Sequence, residues 1–144
     1  MKTLSIVIPV FNETQTIDTI LQRVLDAQLP GWKKNIIVID DGSTDGTRNK
    51  LARWEKRCNV IYQTRNQGKG AAILEGFKRT KGDIILIQDA DLEYDPKDYP
   101  VLLAPFDNPA VDVVYGSRFL GSHLSTMYLY ALGNKFVTFV TNIF

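Results

Sequence analysis

The chain has 144 residues, of which 44% are hydrophobic and 23% charged, the composition of an ordinary globular chain and not of a disordered one. At about 100 to 200 residues per domain, it is expected to form one domain spanning 1–144. Seventeen Lys and Arg against sixteen Asp and Glu leave a formal charge of +1, too weak a field to attract nucleic acid, so any anion binding must be local. The single cysteine, Cys58, excludes an internal disulfide. The start MKTLSIVIPVFNE lacks the long apolar stretch and cleavage site of a secretory signal, so a cytoplasmic location is expected.

Taken in chain order, the first apolar run is Leu4 to Pro9, which predicts a strand. Ile17, Ile20, Leu21, Val24 and Leu25 then recur at the spacing of one helix face, and Asn12 with Gln15 three residues on resembles a capping box. A second strand is predicted over Asn35 to Asp40, a helix from about Asp45 to Arg57, and a third strand over Asn59 to Gln63. A third helix is expected from Lys69 to Thr80, with Ile73, Leu74 and Phe77 toward the sheet. Strands at Asp83 to Gln88 and Val111 to Tyr115 complete the count.

Runs such as IIVID and DIILIQ are continuous instead of alternating, as expected of buried central strands with helices on both faces. Alternating strands and helices predict an open, mostly parallel α/β sheet whose ligands sit at the carboxyl ends of the strands. The apolar tail MYLYALGNKFVTFVTNIF carries Asn134, Lys135 and Asn142, which breaks up any membrane span and suits a packed or membrane-interface helix. The same tail also fits self-association, and so a homo-oligomer.

Polar residues cluster where those strands end. Pro9-Val10-Phe11-Asn12-Glu13 follows the first strand, and capping of the next helix would account for its polar pair as well as a ligand would. Asp40 and Asp41 end the second strand. The following Ser43 to Thr47 read as a turn and cap, whereas two adjacent carboxylates suit a base N–H or ribose hydroxyls. Arg65-Asn66-Gln67-Gly68-Lys69-Gly70 allows close backbone approach at a helix start, with Lys69 placed to meet a phosphate. It is neither a P-loop, since Gly70 follows Gly-Lys, nor a dinucleotide fingerprint, since Ile73 fills the third glycine position.

The most specific signal is Gln88-Asp89-Ala90-Asp91-Leu92-Glu93, directly after DIILI. In extended chain Asp89, Asp91 and Glu93 share a face, and clustered carboxylates with open positions suit Mg²⁺ or Mn²⁺. Arg118, after Tyr115-Gly116-Ser117, could grip a phosphate or lie on the surface. His123, Trp32 and Trp54 read as loop or packing residues.

Together SIVIPVFNE, VIDDGSTDGT, RNQGKGAAILEGF, DIILIQDADLE and GSRF resemble, in order and spacing, the family 2 glycosyltransferases of GT-A (Rossmann-like) fold, and DADLE and GSRF look like their polyprenyl-phosphate branch. The resemblance implies inverting transfer of a hexose from a UDP- or GDP-sugar to a lipid phosphate, with a saccharide acceptor or a non-catalytic nucleotide-sugar module as the other readings. It implies that Pro9, Val10, Asn12, Glu13, Asp40 and Asp41 surround the nucleoside and that Lys69 and Arg118 face the diphosphate. Asp89 and Asp91 are then the DxD acids, Asp89 near ribose and metal, with Glu93 a further metal ligand. Residues 1–121 would form the donor-binding core and 122–144 the apolar helix. The acceptor half is expected to be incomplete, because related enzymes continue further.

A response-regulator or phosphatase-like domain would want its acids after the first strand, and a pyrophosphorylase a glycine-rich basic loop there. Pro9-Val10-Phe11 is neither.

Overall fold

The computed structural model describes residues 1–116. Four strands, β1 (Lys2–Val10), β2 (Trp32–Asp40), β3 (Asn59–Tyr62) and β4 (Ile84–Ile87), form one parallel sheet in the order β3-β2-β1-β4. β1 runs beside β2 from Lys2↔Trp32 to Val10↔Asp40, and on its other side meets β4 from Leu4↔Ile84 to Val7↔Ile87. The two long strands are central. All strands point the same way, so their carboxyl ends gather at one edge of the sheet.

Helices cover both faces, as expected. On one face α1 (Ile17–Asp26), α2 (Thr47–Leu51) and α4 (Tyr99–Leu103) bury Ile17, Ile20, Leu21, Val24, Leu51, Tyr99 and Leu103 against Leu4, Ile6, Ile8, Ile36 and Val38. On the other, α3 (Lys69–Phe77) packs Ala72 against Ile37 and Ile39. The alternation of β2 residues between the clusters, Ile36 and Val38 in one and Ile37 and Ile39 in the other, is the two-residue period of a pleated strand. The carboxyl end of α1 is closed by Lys34, whose Nζ donates to the carbonyls of Val24, Leu25 and Ala27 at 2.9, 2.5 and 2.7 Å, satisfying acceptors the helix cannot. Burial holds that ammonium below its ordinary pKa, with Asp26 working in the opposite direction.

Five local expectations are corrected. Asn12 does not cap α1: the helix begins at Ile17 behind Thr16, and the Asn12 side chain turns instead to the loop after β2. The helix expected over 45–57 is a short α-helix, α2, continued by a 3-10 turn at Ala52–Trp54. In α3 the small residues Ala72 and Gly76 face the sheet, and Leu74 and Phe77 are exposed. Close approach is the reason, since a Cβ on Gly76 would lie 2.4 Å from Val7 Cγ1, leaving no room for a bulky side chain there.

Residues 111–116 form no strand. Among the described residues they have no hydrogen-bonded neighbour in the sheet, and an extended segment without a ladder partner is not a strand. Val113 and Tyr115 stand largely in solvent as a result. β4 is paired but is not the doubly buried strand that DIILIQ suggested: α3 lies over β1 and β2, so Ile85 and Ile87 remain exposed while Ile84 and Leu86 join the core. Arg118, His123 and the apolar tail 122–144 lie outside the described residues.

Candidate active site

Three of the loops leaving the strand ends are tied to one another before any ligand is considered. After β1, Asn12 adopts a left-handed backbone (φ 56°), a conformation Asn tolerates better than most residues. Its N–H donates to Ser43 Oγ at 2.9 Å and its Oδ1 accepts from Thr44 N–H at 2.8 Å. The next two amides continue the seam, Glu13 N–H to Thr47 Oγ1 at 2.9 Å and Thr14 N–H to Asp45 Oδ2 at 3.1 Å. Asp45 also accepts from the Thr47 hydroxyl and amide. Burial pushes its pKa up, but the Thr47 and Thr14 donors together outweigh it and hold the carboxyl below its ordinary value.

Asp40 and Asp41 part company. Asp40 is fully buried, accepts from Ser43 N–H at 3.3 Å, and receives Arg48 Nε at 2.6 Å. Arg48 also donates to the Gln63 carbonyl and lies over the Tyr62 ring. Asp40 therefore ties the end of β2 to α2 and lies off the cavity wall. Asp41 instead receives the amides of Gln67 and Gly68, both at 2.8 Å, which clamps the loop before α3 to the end of β2. Gly42 makes the clamp fit: at φ 77°, a Cβ there would lie 2.5 Å from the Arg65 carbonyl carbon. A side chain at that position would collide with backbone.

Beyond β4 the buried Gln88 organises the acidic turn. Its Oε1 accepts from Tyr99 Oη–H at 2.8 Å, and its Nε2 donates to the Asp89 and Tyr94 carbonyls at 2.9 and 3.2 Å. Burial, with a smaller push from Asp95, raises the Tyr99 phenol far above its usual pKa, so it remains a donor. Leu92 takes a left-handed backbone (φ 68°), and Asp91 Oδ1 accepts from Glu93 N–H at 3.0 Å.

These loops enclose a cavity of about 230 Å³. Its wall holds Pro9, Val10, Phe11 and Glu13 from the first loop, Asp41 from the second, Asn66, Lys69 and Ala72 from the third, and Asp89, Ala90 and Asp91 from the fourth. Lys69 Nζ lies 2.7 Å from Asp89 Oδ1. Seven expected residues thus meet in one place: Pro9, Val10, Glu13, Asp41, Lys69, Asp89 and Asp91. Asn12, Asp40 and Glu93 are not on the wall.

Phe11, Asn66, Ala72 and Ala90 complete the wall and were not singled out. Phe11 had a readable signal, being an aromatic at a strand tip where burial is not forced, and it is 43% exposed. Ala72 had none, because a buried alanine on a helix looks like packing.

A larger groove of about 640 Å³ lies between α1 and the residues after α2, lined by Asp18, Gln22, Arg23, Arg53, Trp54 and Arg57 among others. It carries no strand-end residue. Its central acid is already engaged, with Asp18 bonded to Trp54 Nε1 and paired with Lys50 and Arg53. Burial pushes Asp18 up, but the Trp54 and Lys50 hydrogen bonds and the Arg53 charge leave it below its ordinary pKa.

No group of three or more His, Cys, Asp or Glu that could hold a metal occurs among the described residues. A closed protein cage is therefore not what the wall offers. Asp89 and Asp91 on one cavity do fit a hard divalent cation of the kind bound by one or two carboxylates, with water and substrate phosphates filling its shell. Among the described residues no helix is long and apolar enough to cross a membrane.

A parallel α/β sheet with an acid-lined cavity at its strand ends places the chain among the open α/β folds whose ligands lie at the carboxyl edge. Residues 5–136 match the family model described as Glycosyl transferase family 2, and the chain belongs to that family.

It is 33% identical over 118 residues to the dolichol-phosphate mannosyltransferase of Pyrococcus furiosus, covering 81% of this chain and 33% of that protein. It is 34% identical over 122 residues to the dodecaprenyl-phosphate galacturonate synthase of Rhizobium johnstonii, covering 80% and 36%. The chain thus spans about a third of the length of the curated relatives it matches. Among solved structures, a mannosyltransferase of Pyrobaculum calidifontis in complex with GDP-Man and Mn²⁺ superposes with a TM-score of 0.59 at 27% identity, over 66% of this chain and 29% of that one. The fold is the GT-A, Rossmann-like arrangement.

Proposed function

We propose that this chain carries the donor site of an inverting glycosyltransferase that moves a hexose from a nucleoside-diphosphate sugar to a polyprenyl phosphate. One observation carries the reading: the two DxD carboxylates, Asp89 and Asp91, line the same cavity as Asp41 and Lys69. Similarity to two proteins named for polyprenyl-phosphate sugar chemistry supports the acceptor class, and a GDP-Man and Mn²⁺ complex among the structural neighbours supports the donor and the metal.

In this reading Phe11, Glu13 and Asp41 surround the nucleoside. The ring offers a stacking face, and the Asp41 oxygens have lone pairs beyond those used by Gln67 and Gly68. Lys69 faces the diphosphate, with Arg118 joining it from beyond the described residues. Asp89 and Asp91 would hold Mg²⁺ or Mn²⁺; Glu93, expected as a further ligand, is off the cavity wall and is left out of the set. When bound, the cation neutralises charge developing on the leaving nucleoside diphosphate.

Inversion requires in-line attack by the acceptor at the anomeric carbon, and the chain's task is to fix that line. A phosphate acceptor is already an anion near neutral pH, so the wall has no proton to remove, whereas an alcohol acceptor would need a general base. A lipid substrate calls for a site that works at a membrane surface, and in this reading that surface is the cytoplasmic face.

Calorimetric titration of the chain with UDP, GDP and their hexose conjugates, with Mn²⁺ and then with chelator, tests the reading. Binding that disappears on chelation, and in Asp91→Ala without loss of fold, is the expected result. Equal binding by Asp91→Ala would remove the metal assignment, and no binding to any nucleotide by folded chain would remove the donor site itself.

A further inference from the structure

The cavity wall carries four carboxylates, Glu13, Asp41, Asp89 and Asp91, and among the described residues its one cationic side chain is Lys69. Lys69 opens α3, so its stem starts at a fixed point on the rim while its ammonium reaches across to the end of β4. The pair it makes is lopsided. Asp89 is 20% exposed and Lys69 60% exposed, so the ammonium can swing away at small cost while the carboxylate stays in place. Asp91, the other DxD acid, already holds a backbone amide with one oxygen, which leaves Asp89 as the acid whose partner can be exchanged.

We propose that Lys69 is a positioning residue that shifts between Asp89 and the donor diphosphate, so that divalent metal and nucleotide bind cooperatively. The proposal rests on the donor-site reading above. An ammonium and a dication compete for the same Asp89 oxygen, and metal entering by itself must displace Lys69 into solvent. A diphosphate offers Lys69 a more highly charged partner on the same wall. Each ligand then removes an obstacle for the other, and by linkage the nucleotide tightens the metal by the same factor as the metal tightens the nucleotide.

Titration of Mn²⁺ into the chain, with free Mn²⁺ read by electron paramagnetic resonance, tests this without any turnover. The runs compare wild type, Lys69→Met and Lys69→Arg, each with and without GDP or UDP. Because Lys69 is largely exposed, the variants are expected to keep the wild-type circular dichroism spectrum. Loss of an exposed ion pair corresponds to about a two- to five-fold effect. Lys69→Met should therefore bind Mn²⁺ alone that much more tightly, and the tightening produced by nucleotide should shrink by at least the same factor. Lys69→Arg should keep the wild-type coupling.

Unchanged or weaker Mn²⁺ binding by Lys69→Met, with nucleotide coupling intact, overturns the role of Lys69 and leaves the donor site standing. Wild-type chain that binds no nucleotide even with Mn²⁺ overturns both.

Discussion

Replacing Arg48 by methionine separates scaffold from ligand contact at the end of β2. The Asp40 side chain is fully buried and Arg48 is 39% exposed, with Nε 2.6 Å from Asp40 Oδ2. Removing the guanidinium leaves a buried carboxylate with the Ser43 amide at 3.3 Å and frees the Gln63 carbonyl. Breaking a buried pair by deleting one partner destabilises by about 3 to 5 kcal/mol, and the partial exposure of Arg48 argues for the lower end, about 3 kcal/mol. With a urea slope of about 1 to 3 kcal/mol per molar, the unfolding midpoint should fall by about 1 to 3 M.

Equilibrium unfolding followed by circular dichroism reads this directly. The double variant Asp40→Asn with Arg48→Met removes the stranded charge, and should recover more than half of the loss. A midpoint drop smaller than about 0.5 M, or a double variant no more stable than Arg48→Met, would refute the account, because the loss would then be one of packing or of nothing.

Three further outcomes are expected. Gly76→Ala should destabilise by about 1 to 2 kcal/mol, since overpacking against the stiff, buried Val7 exceeds the helix-propensity gain of about 1 kcal/mol. Gly70→Ala, in the same helix but with open space around the new methyl, should instead stabilise by about 0.5 kcal/mol. If urea melts give the two substitutions the same sign, the close packing of α3 on β1 is wrong.

Third, the folded-state pKa values of Asp18 and Asp45 lie below their ordinary value of 3.8. The stability they supply is therefore complete above about pH 4 and is lost as pH falls through the lowered values. Urea midpoints measured from pH 6 down to 2.5 should decline less steeply in Asp45→Asn, and an identical decline would dismiss that contribution.

How much of this was legible depended on whether a residue's role is set locally. Strand runs such as SIVIPV and IIVID are local signals, and β1 and β2 formed as read, extended by a few residues at their amino ends. The order of motifs on strand ends was legible too, because a parallel sheet forces them together whatever the details. What failed required knowing the neighbour. Val111 to Tyr115 has strand composition but no ladder partner among the described residues, and Leu74 and Phe77 have the right period but the wrong face, because Gly76 sets how near α3 can come. Nor does the sequence say that Asn12 bonds Thr44 and Asp40 bonds Arg48, or that both lie off the cavity wall.

That last pair explains a property of the site as a whole. Binding a flexible diphosphate demands that the groups facing it be fixed beforehand, since each loop ordered on binding subtracts from affinity. The loop after β1 is fixed by Asn12 and Glu13 to the loop after β2, the loop after β2 by Asp41 to the loop before α3, and the acidic turn by Gln88 to Tyr99 of α4. Polar residues off the cavity wall therefore hold in place the loops that form it. A substitution at Asn12, Asp40 or Gln88 should consequently weaken nucleotide binding without altering which nucleotide is chosen, whereas one at Phe11 or Asp41 should alter the choice as well.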